Sequence, residues 1–257
     1  MSPMADRRRI QRLSGGDVSG KEGMRPIQTQ SGKNHILYDA ELPIHAEPAL
    51  FEPAAWRQRG QWLGSAQGRG ETVFIGDGTH EYVLRHYRRG GLPGRLVRDH
   101  YLWAGLTRTR AWREWYLTAE LYRLGLPVPR PVAAQVVREG LFYRADLMTV
   151  RIPAAISLAQ TLAKTPLSMA QWQAIGACLR RFHDAGVDHA DLNAHNILLA
   201  GDAIYLIDFD RGRLRVPGRW RHANLARLLR SLRKLYNESL NIAFTEADWQ
   251  AVLAGYG

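Results

Sequence analysis

The feature that most narrows the folding choices of this chain is a polar stretch set between apolar runs, Val187-Asp188-His189-Ala190-Asp191-Leu192-Asn193-Ala194-His195-Asn196. Behind it, Ile197-Leu198-Leu199 and Ile204-Tyr205-Leu206-Ile207 read as a hairpin turning at Gly201-Asp202, and Asp208-Phe209-Asp210 lies at its far end. Asp191 and Asn196 are five residues apart, and Asp208 comes twelve positions later. A carboxylate at the first position can orient an attacking hydroxyl and accept its proton. The amide and the second carboxylate are hard oxygen ligands of the kind that hold magnesium on nucleotide phosphates. Three polar loop residues that merely cap strands would be the bland reading, but together they meet the spacing that phosphoryl transfer requires. His183, His189 and His195 recur every six residues, which matches no common zinc spacing.

The rest of the chain sorts around this cluster. Residues 1–30 carry Arg7-Arg8-Arg9 and several Ser-Gly pairs with few large apolar side chains, so a basic, unordered segment is expected there. Met24 is a possible second start. Ile36-Leu37-Tyr38 reads as a first strand, and Pro43, Pro48 and Pro53 break up the stretch before Trp56. A hairpin is predicted over 71–75 and 80–85 around Gly76-Asp77-Gly78, preceded by a glycine-rich loop over 64–70. A helix is expected from Ala111 to Leu124 with Gly125 just past its end, then two strands over 132–138 and 141–148. Ser168 to Gln171 fits a capping box that opens a helix with Trp172, Ile175, Leu179 and Phe182 on one face. A final helix is predicted over 222–236, with Leu225, Leu228, Leu229, Leu232 and Leu235 opposite Arg227, Arg230, Arg233 and Lys234.

On these residues the chain resembles the protein-kinase-like superfamily. His189 to Asn196 is similar to the catalytic loop H-R-D-L-x-x-x-N, and Asp208-Phe209-Asp210 to the D-F-G metal motif. The resemblance implies an α+β, two-lobed fold: an antiparallel β-rich N-lobe over 31–150 and a compact, mainly helical C-lobe over 151–257. It implies Asp191 as the catalytic residue, Asn196 and Asp208 as magnesium ligands, and Gly68 and Gly70 covering the ATP phosphates. Arg85 takes the place of the usual lysine, with Glu114 as its partner and Glu120 as second choice. His189 is expected to brace the loop. Asp210, where protein kinases have glycine, is expected to assist metal or water. Ala190 replaces the arginine that reads activation-loop phosphate, and no A-P-E sequence comes after Asp208.

Within the superfamily, Val83 to Gly91, Gly125 to Pro131, His189 to Leu199, Leu206 to Arg211 and Asn224 to Lys234 resemble the lipopolysaccharide core kinases. That resemblance implies ATP- and Mg2+-dependent phosphorylation of the 4-hydroxyl of a sugar acid, 3-deoxy-D-manno-octulosonic acid (Kdo), on a lipid A precursor at the cytoplasmic side of the inner membrane. A kinase of another core sugar such as heptose, a kinase of an aminoglycoside-type small molecule and an inactive nucleic-acid-binding protein are the alternatives.

Charge helps choose among them. The 257 residues hold 35 Lys and Arg against 24 Asp and Glu, a net charge of +11, which disfavours polycationic substrates such as aminoglycosides. Nine of the basic residues lie between Arg211 and Lys234 with no acid among them, and eight arginines lie between Arg85 and Arg113 with Asp99 alone. Tyr101, Trp103 and Trp112 are interleaved with the second group, a mixture suited to an anionic membrane surface. No nucleic-acid motif is visible, so no nucleic-acid partner is expected. No run of about 18 apolar residues appears, and the single Cys178 favours a reducing compartment, so a peripheral cytoplasmic protein is expected.

Overall fold

The computed structural model describes residues 23–66, 72–88, 99–238 and 242–257. An antiparallel sheet of eight strands organises the first half. Strands β1 (Pro26–Ser31) and β2 (Asn34–Asp39) form a hairpin whose turn places Gly32 at φ 56°, where a side chain would be strained. The unordered segment expected over 1–30 therefore runs too far. Strand β1 exposes nearly all its side chains and is held by its ladder to β2, so it lacks the apolar alternation that sequence reading relies on. Pro48 and Pro53 do not simply interrupt the chain either. Each opens a short helical turn, a 3-10 turn over Pro48–Phe51 and helix α1 over Pro53–Gln58, where the missing proline N–H costs nothing.

Strands β3 (Trp62–Ala66), β4 (Thr72–Gly76) and β5 (Glu81–His86) come next as antiparallel neighbours, and the segment 67–71 that joins β3 to β4 lies outside the described residues. A two-residue strand β6 (Tyr101–Leu102) precedes helix α2 (Arg110–Arg123), and β7 (Pro131–Glu139) and β8 (Phe142–Val150) complete the sheet. The order is β1-β2-β7-β8-β5-β4-β3, with β6 on the free stretch of β8.

Both faces of this sheet are covered. Ile36, Ile75, Leu84 and Met148 point toward Leu50, Phe51 and Trp56 on one side. Their strand neighbours Leu37, Val136 and Leu147 point toward Trp112 and Trp115 of α2 on the other. This explains why β7 is apolar on both faces apart from Gln135, since its first seven residues are all buried. Helix α2 ends as expected, with Gly125 at φ 70°.

The second half is mainly helical. It contains β9 (Ile156–Ser157), α3 (Leu158–Leu162), α4 (Met169–Asp184), β10 (Val187–Asp188), β11 (Ile197–Ala200), β12 (Ala203–Leu206), β13 (Arg213–Leu214), α5 (Trp220–Glu238) and α6 (Glu246–Tyr256). Strands β12, β11 and β9 form one small sheet, β10 and β13 another. The Ser168–Gln171 capping box opens α4 in both directions, as its sequence requires. A boundary at 150/151 does not divide the cores cleanly, because Leu121, Leu126 and Val128 pack into the helical core with Leu179, Phe182 and Leu228. Helix α5 is not the last one. Thr245 and Asp248 cap α6, a short helix rich in small residues that crosses α4 closely. A Cβ on Gly176 would stand 2.0 Å from the Val252 carbonyl oxygen, and one on Gly255 2.0 Å from that of Gln173. Only glycine permits this approach.

Candidate active site

The catalytic-loop segment descends from β10 and rises again into β11, so Asp191 and Asn196 sit at the mouth of the β11–β12 hairpin. The loop is tied internally by amides. The side-chain N–H groups of Asn193 and Asn196 both donate to the Asp191 carbonyl at 2.9 Å, and the Asn193 side-chain oxygen accepts from the His195 N–H. With its NH2 group donating to Asp191, the Asn196 Oδ1 has no hydrogen-bond partner among the described residues.

His189 braces the loop as expected. It is buried, its Nδ1 accepts the Asp191 N–H at 3.2 Å, and its Nε2 donates to the Ile207 carbonyl at 3.0 Å. One imidazole thus fixes both Asp191 in the loop and the residue just before Asp208. Burial lowers its pKa, and only the neutral ring can accept from Asp191. Helix α5 holds the same loop from below: Asn224 Oδ1 accepts the His189 N–H at 2.9 Å, Asn224 Nδ2 donates to Asp188 at 3.0 Å, and Ser231 Oγ accepts the Ala194 N–H at 3.2 Å.

Asp208 lies just past β12 in the left-handed backbone region, at φ 64°. A non-glycine residue there is strained, and such strain clusters at functional positions. Its carboxylate meets Arg85 of β5, with Nη1 2.5 Å from Oδ1, while Arg85 Nη2 lies 2.5 Å from Glu114 Oε2 of α2. Arg85 therefore spans both acids, and Glu114 rather than Glu120 is its partner. Glu120 is at the surface against Arg123. Burial alone would raise the Asp208 carboxyl, but the Arg85 charge and hydrogen bond outweigh it and hold the group below its ordinary pKa. Asp208 is thus ionised. For Arg85 burial is again opposed, here by Glu114 and Asp208, and the guanidinium stays charged.

Two further residues of this network, outside the motifs, carry a sequence signal of their own. Tyr87 lies two positions beyond Arg85 along the chain, and its hydroxyl donates to Glu114 while the Arg85 guanidinium sits 4.9 Å from its ring centroid. Arg110 lies one helical turn before Glu114, on the same face of α2. Its Nε is 2.8 Å from Asp210 Oδ1, a second nitrogen contacts Oδ2, and Nη1 donates to the Tyr101 hydroxyl at 2.7 Å. Asp210 is thus held by Arg110, as Asp208 is by Arg85. Gly68 and Gly70 lie outside the described residues.

The donor set suits magnesium. Asn196 Oδ1 and the ionised Asp208 carboxylate are hard oxygens. The imidazole packed beside them, His189, has both of its nitrogens occupied and does not compete.

A β-rich lobe whose β5 cation reaches a helix glutamate, set over a helical lobe carrying a histidine-braced aspartate loop and an Asp-Phe-Asp turn, defines a kinase-like phosphotransferase. A model of the lipopolysaccharide kinase (Kdo/WaaP) family matches residues 53–256, and the chain belongs to that family. It is 43% identical over 230 residues to a 3-deoxy-D-manno-octulosonic acid kinase of Vibrio vulnificus, covering 89% of this chain and 97% of that one. It is 48% identical over 216 residues to the protein of the same name from Xanthomonas axonopodis pv. citri, covering 83% and 86%. Among solved structures, WaaP in complex with acyl carrier protein aligns with a TM-score of 0.51 at 18% identity over 82% of each chain, a likeness of fold.

Proposed function

We propose that this chain transfers the γ-phosphoryl group of ATP to the 4-hydroxyl of Kdo on a lipid A precursor, as a peripheral protein at the cytoplasmic side of the inner membrane. The observation that carries the reading is the joining of Arg85, Glu114 and Asp208 beside the Asp191–Asn196 loop, in a chain 43–48% identical to kinases named for that sugar acid.

Each residue then has a task. Asp191, its backbone fixed at N–H and carbonyl alike, orients the sugar hydroxyl and accepts its proton as the oxygen attacks. Arg85, held by Glu114 and Tyr87, sets a permanent positive charge toward the nucleotide phosphates. Gly68 and Gly70 would cover those phosphates. Asn196 and Asp208 would hold Mg2+, which supplies charge neutralisation on the transferring phosphoryl group. Arg110, through Asp210, keeps the backbone that carries Asp208 from turning away.

Mass spectrometry of the lipid A–core fraction from cells with and without the protein tests the substrate. Loss of one phosphate from the sugar acid on deletion supports the reading, and an unchanged fraction contradicts it. The net charge of +11 disfavours the aminoglycoside-type reading.

A further inference from the structure

The turn between β7 and β8 is an unusual place for apolar side chains. Turn tips at the surface are ordinarily polar, yet Leu141 is 76% exposed, Phe142 is 41% exposed, and Leu102 on β6 is 67% exposed. These three are neighbours. Leu102 stands opposite Phe142 in the β6–β8 ladder, and the Trp103 N–H donates to the Leu141 carbonyl at 2.9 Å. Among the described residues, this tip is where adjacent strands present exposed apolar side chains together.

Beside the tip lies an open hollow of about 640 Å³ between the β1–β2 and β7–β8 turns, lined by Gln30, Lys33, His35, Trp103, Arg138 and Gly140. Trp103 is its wall: His35 stacks on the indole at 6.1 Å, and the Arg138 guanidinium lies 4.9 Å from the ring centroid. The charge is unbalanced. Glu139 is shared by Lys33, Arg144 and His100, the last of which also meets Asp99. Arg138 meets the Gly140 carbonyl and Trp103 but no carboxylate among the described residues. Apolar side chains at a tip, an indole beside them and an excess of cations behind match the layers of a bilayer interface, acyl chains first and anionic headgroups next.

We propose that the Leu102–Leu141–Phe142 tip enters an anionic bilayer, with lipid phosphate received in the hollow formed by Lys33, Arg138 and Trp103. This deepens the peripheral-membrane part of the function proposed above and rests on it only there. It also places the contact away from the arginine-rich α5 helix. There Arg221, Arg233 and Lys234 each meet a carboxylate.

The test is co-sedimentation of the full chain with vesicles of phosphatidylcholine alone and of phosphatidylcholine mixed with phosphatidylglycerol. The wild type is expected to pellet with the mixed vesicles only. Leu141→Ser with Phe142→Ser lowers the bound fraction about fivefold or more, because binding scales with the apolar area inserted. Lys33→Gln with Arg138→Gln removes the preference for phosphatidylglycerol. Inorganic phosphate added as competitor separates the sources: retained vesicle binding fits a headgroup within a bilayer, whereas complete loss reduces the hollow to a site for free phosphate and overturns the proposal. So does a wild type that stays in the supernatant, or a serine variant that pellets like wild type. All four positions are at the surface, and transfer to detergent-dispersed acceptor is expected at the wild-type rate in both variants. Failure of docking is therefore distinguishable from failure of the kinase reading.

Discussion

Arg85 is where this site departs most from a lysine-based one, and the geometry says what the departure does. Its two terminal nitrogens reach Glu114 and Asp208 at once, each at 2.5 Å, which a single ammonium cannot do with the same directionality. Arg85→Lys is therefore expected to fold normally yet lose about tenfold in kcat, and Arg85→Ala on the order of a hundredfold, by steady-state assay. A lysine variant as active as wild type would contradict the two-acid bridge. Arg110 and Asp210 form a second bridge between the lobes. Removing either, and then both, is expected to reveal a coupling of about 1–3 kcal/mol in kcat/KM, since both act as one unit. Additive losses would mean that Asp210 acts on its own.

At the level of elements, α4 and α6 meet so closely that their glycines are obligatory. A methyl at Gly176 would collide with backbone rather than with a side chain able to move, so Gly176→Ala is expected to cost about 1–3 kcal/mol by denaturant unfolding. A stability equal to wild type would mean the helices can separate freely. Asn224→Ala, which removes the partner of the His189 N–H and one of the partners of the Asp188 carboxylate, is expected to lower kcat more than it raises KM. A change confined to KM would contradict a role in holding the loop. Elements differ in how plainly the sequence announces them. Helices α2 and α4 are legible because caps, glycine stops and periodic apolar residues agree, and the motif residues are legible because phosphoryl transfer fixes their spacing. Strand β1 and helix α6 are not, since one is held by backbone pairing and the other packs through small residues. Asn224 and Ser231 belong to the site only because α5 folds back beneath the loop, a contact across more than thirty positions that local pattern does not encode.

At the scale of the whole molecule, three histidines contribute to the pH response near neutrality. Burial holds His183 at about 4 and lowers His189, so the unfolded chain takes up protons that the folded one refuses. Their contribution to stability is complete above about pH 6.5 and is lost as the pH falls toward the folded values. His86 runs the other way, because its hydrogen bond to Asp146 raises its pKa against burial. Its contribution is complete below about pH 6.5 and is lost as the pH rises through the folded value. Thermal unfolding midpoints should therefore peak near neutrality. A midpoint that climbs steadily as the pH is lowered from about 6.5 to about 5 would contradict this assignment.

Under the proposed function the two lobes meet around Asp191 to phosphorylate a lipid-linked sugar acid. The most direct measurement of this is transfer of label from γ-labelled ATP to a Kdo-bearing lipid A precursor by the purified chain. Wild type is expected to label the acceptor, and Asp191→Asn to lower kcat by about 10²–10⁴ while remaining folded. No label transferred by wild type, or full transfer by Asp191→Asn, would contradict the account.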